Sequence, residues 1–138
     1  KPKELTINLP TATKENVFYP LIDYELKDDI KDSYGKVLYK KGFVFNPLHY
    51  ISLNEKYIFI DYTDKKQRDW IKKQEINKDI TAKIIITNGR VFDAIKEFER
   101  EVFYAIDILI DKFKLEAVPS IVEQEQDRIK VKQFKLKD

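Results

Sequence analysis

The chain has 138 residues, with 26 Lys and Arg against 24 Asp and Glu, a single His and neither Cys nor Met. Its 43% hydrophobic and 13% aromatic content is too rich for a disordered chain, and a domain of this length can withdraw about two-thirds of its unfolded surface from water without staples. The missing cysteines exclude disulfides, thiolate nucleophiles and cysteine-based metal sites, one histidine leaves no His-rich metal centre, and a net charge of +2 argues against a strongly electrostatic partner.

Residues 1–16 carry Pro2, Pro10, scattered charges and a brief Leu5, Ile7, Leu9 alternation, and are expected to form a flexible, partner-dependent tail. Residues 17–54 read as an extended module. Val17 to Tyr24 is interrupted by Pro20, and a polar stretch follows. Gly35 and Gly42 stand where turns need left-handed backbone, so Lys36 to Phe45 is expected to be a small hairpin. Asn46-Pro47 closes it, because the residue before a proline is pushed out of the helical region and Pro47 fixes its own φ.

Over residues 55–138 the period changes. Tyr57-Ile58-Phe59-Ile60-Asp61-Tyr62 is β-branched and aromatic with little polar alternation, as in a strand covered on both faces. Asp64 and Gln67 have the spacing of a capping box, which opens a helix toward Ile76 with Trp70 and Ile71 on its buried stripe. Lys83 to Thr87 is a second buried strand, ended by Asn88-Gly89. Val91, Ile95, Phe98 and Val102 fall on one face of a second helix. Ile106, Leu109, Ile110 and Phe113 repeat the pattern in a third, with Asp107 placed to cap it. Ala117 to Glu123 and Arg128 to Phe134 are strands joined by the polar loop Gln124 to Asp127. Strand, helix, strand requires a parallel pair with a crossover, and an antiparallel hairpin then completes the sheet. The fold class is α/β, an α+β sandwich. No run approaches the roughly 20 apolar residues of a membrane span, and Lys1 opens the chain without an apolar leader, so any export signal is expected to have been removed or never included.

Several residues invite chemistry. Asp61 and Asp64 lie at the carboxyl end of a parallel strand, where open α/β sheets collect ligands, and two carboxylates there could hold a divalent cation in a phosphatase-like or phosphotransfer domain. Asp64 is equally explained as a helix cap. Lys41-Gly42-Phe43-Val44-Phe45 mimics part of an RNA-binding aromatic box, although Val44 is too large for its fourth position and packing explains Phe43 and Phe45 better. Arg128, Lys130, Lys132, Lys135 and Lys137 form a basic C-terminal strand, read as lysines that protect a sheet edge from aggregation. His49 reads as a loop side chain and Trp70 as core. No catalytic residue, cofactor or metal ligand is assigned.

Two features point to a family. The β-α-β-α-β-β order from Tyr57, with Val118-Pro119 opening the penultimate strand, resembles a thioredoxin-like domain whose loop Thr63 to Arg68 has no cysteines. The succession Gly35-Lys36-Val37-Leu38-Tyr39, Lys41-Gly42, Asn46-Pro47-Leu48, Tyr57 to Asp61, Lys83 to Gly89 and Phe113 to Pro119 resembles the TraW family of F-type conjugative transfer systems, over about Val17 to Val131. The resemblance implies a periplasmic, non-enzymatic pilus-assembly factor of a type IV secretion apparatus, working beside TrbC-like and TraU-like proteins, with no nucleic-acid partner. It carries over Gly42, Asn46, Pro47, Leu48, Asp61, Val118 and Pro119 as family positions, with a cis Val118-Pro119 bond whose exposed edge would hold an extended partner strand. His49 departs from a more usual acidic residue, and Tyr62-Thr63 from a Gly-containing turn. A complete thioredoxin-like domain has a further helix after the last hairpin. Without one, residues 17–50 are expected to cover part of the sheet, with the remainder forming an interface for a second protein.

Overall fold

The run from Tyr57 to Ile60 and the run from Ala82 to Ile86 lie side by side as parallel central strands, and they are buried because each alternates apolar side chains to both faces. A computed structural model describes residues 7–137. In chain order its elements are β1 (Asn16–Phe18), β2 (Tyr24–Glu25), β3 (Ile30–Lys31), β4 (Val37–Tyr39), β5 (Val44–Phe45), a 3₁₀ turn (Pro47–His49), β6 (Lys56–Ile60), α1 (Lys65–Lys72), a second 3₁₀ turn (Glu75–Lys78), β7 (Ala82–Ile86), α2 (Val91–Phe98), β8 (Val102–Tyr104), α3 (Asp107–Phe113), β9 (Ser120–Glu125) and β10 (Arg128–Gln133). The main sheet has the order β1-β10-β9-β6-β7-β8. Strands β6, β7 and β8 run parallel, while β9 is antiparallel to β6, β10 to β9, and β1 to β10. The fold class is thus a mixed α/β sheet with three helices. The parallel pair and the closing hairpin both follow the sequence pattern.

Two clusters sandwich this sheet. On one face Ile58, Ile60, Ile84, Ile86 and Val102 pack beneath Ile71 of α1 and Ala94 and Phe98 of α2. On the other, Phe59, Ile85, Val122, Ile129 and Val131 pack beneath Ile110 and Phe113 of α3, and Ile7, Leu9, Phe18, Ile22, Leu48 and Leu53 complete that cover. The N-terminal residues therefore supply the lid that a further helix would otherwise have to give. Toward β9 and β10 the first face is largely polar, with Glu123, Lys130 and Lys132 beside Ile121 and Phe134, and Trp70 packs on Phe134 with ring centroids 5.1 Å apart. Charged side chains keep that half of the face compatible with water.

The structure revises several expectations. The tail, from Ile7 onward, is hydrogen-bonded to the sheet: Ile7 N–H donates to the Thr87 carbonyl at 2.9 Å and Ala12 N–H to that of Val118 at 2.8 Å. Residues 1–6, with Leu5, lie outside the described residues. Val37–Tyr39 and Val44–Phe45 do not pair with each other as a hairpin. Each pairs with an earlier strand, β4 with β3 and β5 with β2, because Asp32 closes a tight turn just before β4 by accepting from Tyr34 and Lys36 N–H, both at 2.9 Å. Helix α1 stops at Lys72 rather than near Ile76, and α2 ends at Glu99, whose φ of 55° reverses the chain, so Val102 belongs to a strand that periodicity assigned to helix. Asp107 is the first residue of α3, and its cap, Ile106, makes no side-chain hydrogen bond. The last hairpin turns on Gln126-Asp127 alone, with φ of 57° at Gln126. No helix among the described residues is long and apolar enough to cross a membrane.

Candidate functional site

At the carboxyl ends of β6 and β7 the two candidate aspartates are committed to local structure. Asp61 Oδ1 accepts from Thr63 N–H at 2.9 Å and from the Thr63 hydroxyl at 2.6 Å, and its Oδ2 accepts from the Asn88 amide at 3.1 Å. Asp64 caps α1 by accepting from Lys66 N–H at 3.0 Å, and it also accepts from the Gln67 amide at 3.1 Å. Gln67 is fully buried and turns its carbonyl to Asp61 N–H at 2.8 Å, so the capping-box residue reaches past the cap to the end of the strand. Among the described residues no three His, Asp or Glu side chains converge on a point where a metal could sit. These carboxylates staple a loop.

The Val118–Pro119 peptide is cis and both residues are buried. The edge expected to hold a partner strand is already filled. Val118 N–H donates to the Pro10 carbonyl at 3.0 Å, the Val118 carbonyl accepts from Ala12, and Thr11 forms a parallel bridge with Val118. The chain's own residues occupy that place.

Beside this loop, Tyr62 organises a polar latch. Its ring meets Phe98 edge-on at 5.8 Å and its hydroxyl donates to Glu97 at 2.8 Å. Arg68 donates to the Tyr62 carbonyl at 2.7 Å and sits 3.5 Å from Glu97, while the Lys72 ammonium is 2.7 Å from the same carboxylate. Burial followed by the Glu97 hydrogen bond pushes the Tyr62 phenol up to about 12. For Glu97 burial acts upward, but the bonds from Lys72 and Tyr62 outweigh it and leave the carboxyl below its ordinary value. The latch ties α1 and α2 to the end of β6.

The family positions in residues 17–54 attach that module to the sheet. Gly42 has φ of 92°, and its N–H donates to the Leu26 carbonyl at 2.9 Å. Asn46 accepts from Leu48 N–H at 2.9 Å, capping the Pro47 turn, and donates to the Asp127 carbonyl at 2.8 Å. His49 is exposed, 3.5 Å from the Asp127 carboxylate, and Leu53 N–H donates to Gln124 at 2.6 Å. Leu48 is half-buried against the core. Within the module Leu26 is the one buried hydrophobic residue of the segment 21–47, whereas Tyr24, Ile30, Tyr34, Leu38, Tyr39 and Phe43 are exposed, as are Tyr50 and Ile51 just beyond it. Two-stranded ribbons of this kind cannot bury enough to stand alone. They are held by the Asn46, Leu48 and Leu53 attachments, and they present apolar side chains outward. The rings of Phe43 and Phe45 do stack, 5.9 Å between centroids, but Phe43 is exposed and the pair is not enclosed by hairpin packing.

The basic C-terminal strand is an edge only in its first half, because β1 pairs with Val131 to Gln133 and leaves Arg128 to Lys130 without a strand on their outer side. The cations face outward across the sheet. Arg128 lies 3.7 Å from the Tyr19 ring centroid, Lys130 is 3.4 Å from Glu125, and Lys132 sits over Phe134 at 5.1 Å. The edge-protection role therefore does not apply to Lys132, which β1 covers, while Arg128 and Lys130 stand on the uncovered half of the strand. Lys135 and Lys137 lie beyond the strand, and Lys135 N–H donates to Glu15 at 2.7 Å. Trp70 is half-buried, not fully core. Sequence reasoning missed β8, the burial of Gln67 and the Tyr62 latch. Only the Tyr62 aromatic after a strand was a visible signal.

No protein-family model matches the chain, and no solved structure matches it. Among curated proteins it is similar to Protein TraW of Escherichia coli (strain K12), with 31% identity over 98 residues that make up 70% of this chain and 46% of that protein. The chain thus spans about half the length of the curated relative it matches.

Proposed function

We propose, from the premise that this chain belongs to the TraW family over the matched residues, that it serves conjugative DNA transfer as a periplasmic, non-enzymatic factor of pilus assembly, holding other proteins of the transfer apparatus. The observation that carries the reading is the exposed aromatic and aliphatic surface between residues 21 and 51, mounted on a sheet whose apolar side chains are otherwise buried under the helices and the N-terminal residues. Exposed rings and aliphatic side chains gathered on one small module suit a place where another protein sits. Its partners, on this reading, are TrbC-like and TraU-like proteins of the same machinery. The strand order β7-β6-β9-β10, with α1 linking the parallel pair, supports a thioredoxin-like ancestry for residues 55–138, in which a docking platform stands where redox chemistry has no sulfur to use.

The test is complementation. The full-length protein, expressed in a donor whose F-type system lacks its own TraW, is expected to restore mating and filament production, and the Phe43→Asp/Tyr50→Asp form to lower mating at least tenfold while folding normally by circular dichroism. Failure of the unaltered protein to complement, in the presence of its own cognate transfer genes, would sink the reading.

A further inference from the structure

At the outer side of the ribbons a groove of about 260 Å³ is lined by Leu26, Ile30, Tyr39, Phe43, Phe45 and Tyr50. Pairing of β2 with β5 and of β3 with β4 brings these residues together from two separate ribbons. The rings form a ladder. Tyr39 and Phe43 stand 5.2 Å apart, Phe43 and Phe45 are stacked at 5.9 Å with 22° between planes, and Tyr50 meets Phe45 edge-on at 5.6 Å. No lining residue carries a charge, and the nearby Asp29 and Asp32 carboxylates are turned into the ribbon turns, accepting from Lys41 N–H at 2.7 Å and from Tyr34 and Lys36 N–H. Tyr39 and Tyr50 are 45% and 66% exposed, and neither hydroxyl bonds to another described residue.

We propose that this groove binds an uncharged, proline-rich segment of a protein partner in the polyproline II conformation. Charge matching requires the first part. A charged side chain entering a lining with no counter-charge would lose its hydration without compensation, so the occupant is uncharged there. The ring ladder requires the second. Pyrrolidine rings lie flat against aromatic faces, and a polyproline II backbone keeps its carbonyls unpaired while its prolines bring no N–H, which suits a rim whose free groups are hydroxyl donors. A second copy of this chain could enter only by placing another exposed side chain in the groove, residue i of one copy meeting j of the other, and shifts that grow with protein concentration would reveal it. Membership of the natural partner in the transfer apparatus rests on the preceding reading, whereas the chemistry of the groove does not.

The experiment is a titration of the ¹⁵N-labelled chain with decaproline, and with a Gly-Ser decamer as control, followed by heteronuclear NMR. Saturable shifts at Leu26, Ile30, Tyr39, Phe43, Phe45 and Tyr50 with decaproline alone are expected. Tyr39→Phe/Tyr50→Phe, which keeps the rings and removes the donors, should weaken binding about 3–10-fold, the equivalent of one net hydrogen bond. Phe43→Ala should weaken it more than tenfold with the amides of β6 and β7 unmoved. Equal shifts with both peptides, no saturation at millimolar decaproline, or peptide-independent shifts at these residues that grow with protein concentration would overturn the proposal. A protein that restores mating yet ignores decaproline refutes the groove alone. One that binds decaproline but never complements refutes the transfer role alone.

Discussion

Gly89 has φ of 101°, and a Cβ there would stand 3.0 Å from Cδ2 and 3.1 Å from Cβ of Tyr62, the residue that anchors the latch. Both the backbone and the contact reject a side chain, so Gly89→Ala is expected to cost about 1–3 kcal/mol, read as a lower urea midpoint. The latch itself predicts a pH dependence. Glu97 is held below its ordinary value of 4.5, so its contribution is complete above that value and is lost as pH falls through the lower folded one. Tyr62 and Lys72 are raised from 10.0 and 10.5, Tyr62 chiefly by burial and Lys72 chiefly by its bond to Glu97. Their contribution is complete below those values and is lost as pH rises, for Tyr62 toward about 12. Unfolding midpoints should therefore fall at both ends, and Glu97→Gln should flatten the acid limb and the Lys72 part of the alkaline limb, leaving the Tyr62 part that burial causes, while costing about 1 kcal/mol at neutral pH. An unchanged profile in that variant would show that the latch does not act as a unit.

Among the elements, the segment from Ile7 to Thr13 is bound through both backbone groups of Val118 and through Ala12, which is 6% exposed. Ala12→Asp places an unpaired carboxylate there and should release the segment. Hydrogen exchange at the Val118 and Ala12 amides is expected to speed up at least tenfold, with Ile58 to Ile60 unchanged. Equal acceleration in β6 would mean that the segment is part of the core and not a separable strap. Asn46 is the corresponding rivet for the ribbons, joining the Pro47 turn to the last hairpin. Asn46→Ala should cost about 1–2 kcal/mol locally, seen as faster exchange at the Leu26 and Gly42 amides, which donate across the ribbon to the Phe43 and Leu26 carbonyls.

For the whole molecule, stability is uneven by construction. Residues 55–125 hold nearly all of the fully buried side chains, whereas the ribbons have Leu26. In urea, amide protection in β2 and β5 should disappear well before the Trp70 fluorescence change, which reports the sheet and α1 through Phe134. A single coincident transition would show that the ribbons draw their stability from the sheet in full. This loosely held, apolar module is the part suited to reshape around a partner, and the sheet is the part suited to carry it.

From its residues alone the chain determined the buried parallel strands at Tyr57 to Ile60 and Ile84 to Ile86, the final hairpin, and the absence of thiol chemistry, because continuous β-branched runs and the lack of cysteine have local meanings. Tertiary structure decided the rest. Val102 continues a helical period, yet Glu99 reverses the backbone and the side chain joins a strand, since a fourth apolar position is satisfied equally well by an adjacent sheet edge. Pro10 to Ala12 look like a tail in sequence, because nothing in their composition records the two open hydrogen-bonding groups of Val118 more than a hundred residues away. The aromatic groove was invisible for the same reason: Leu26, Ile30, Tyr39, Phe43, Phe45 and Tyr50 follow no period, and only the pairing of each ribbon with an earlier strand sets their rings around one space.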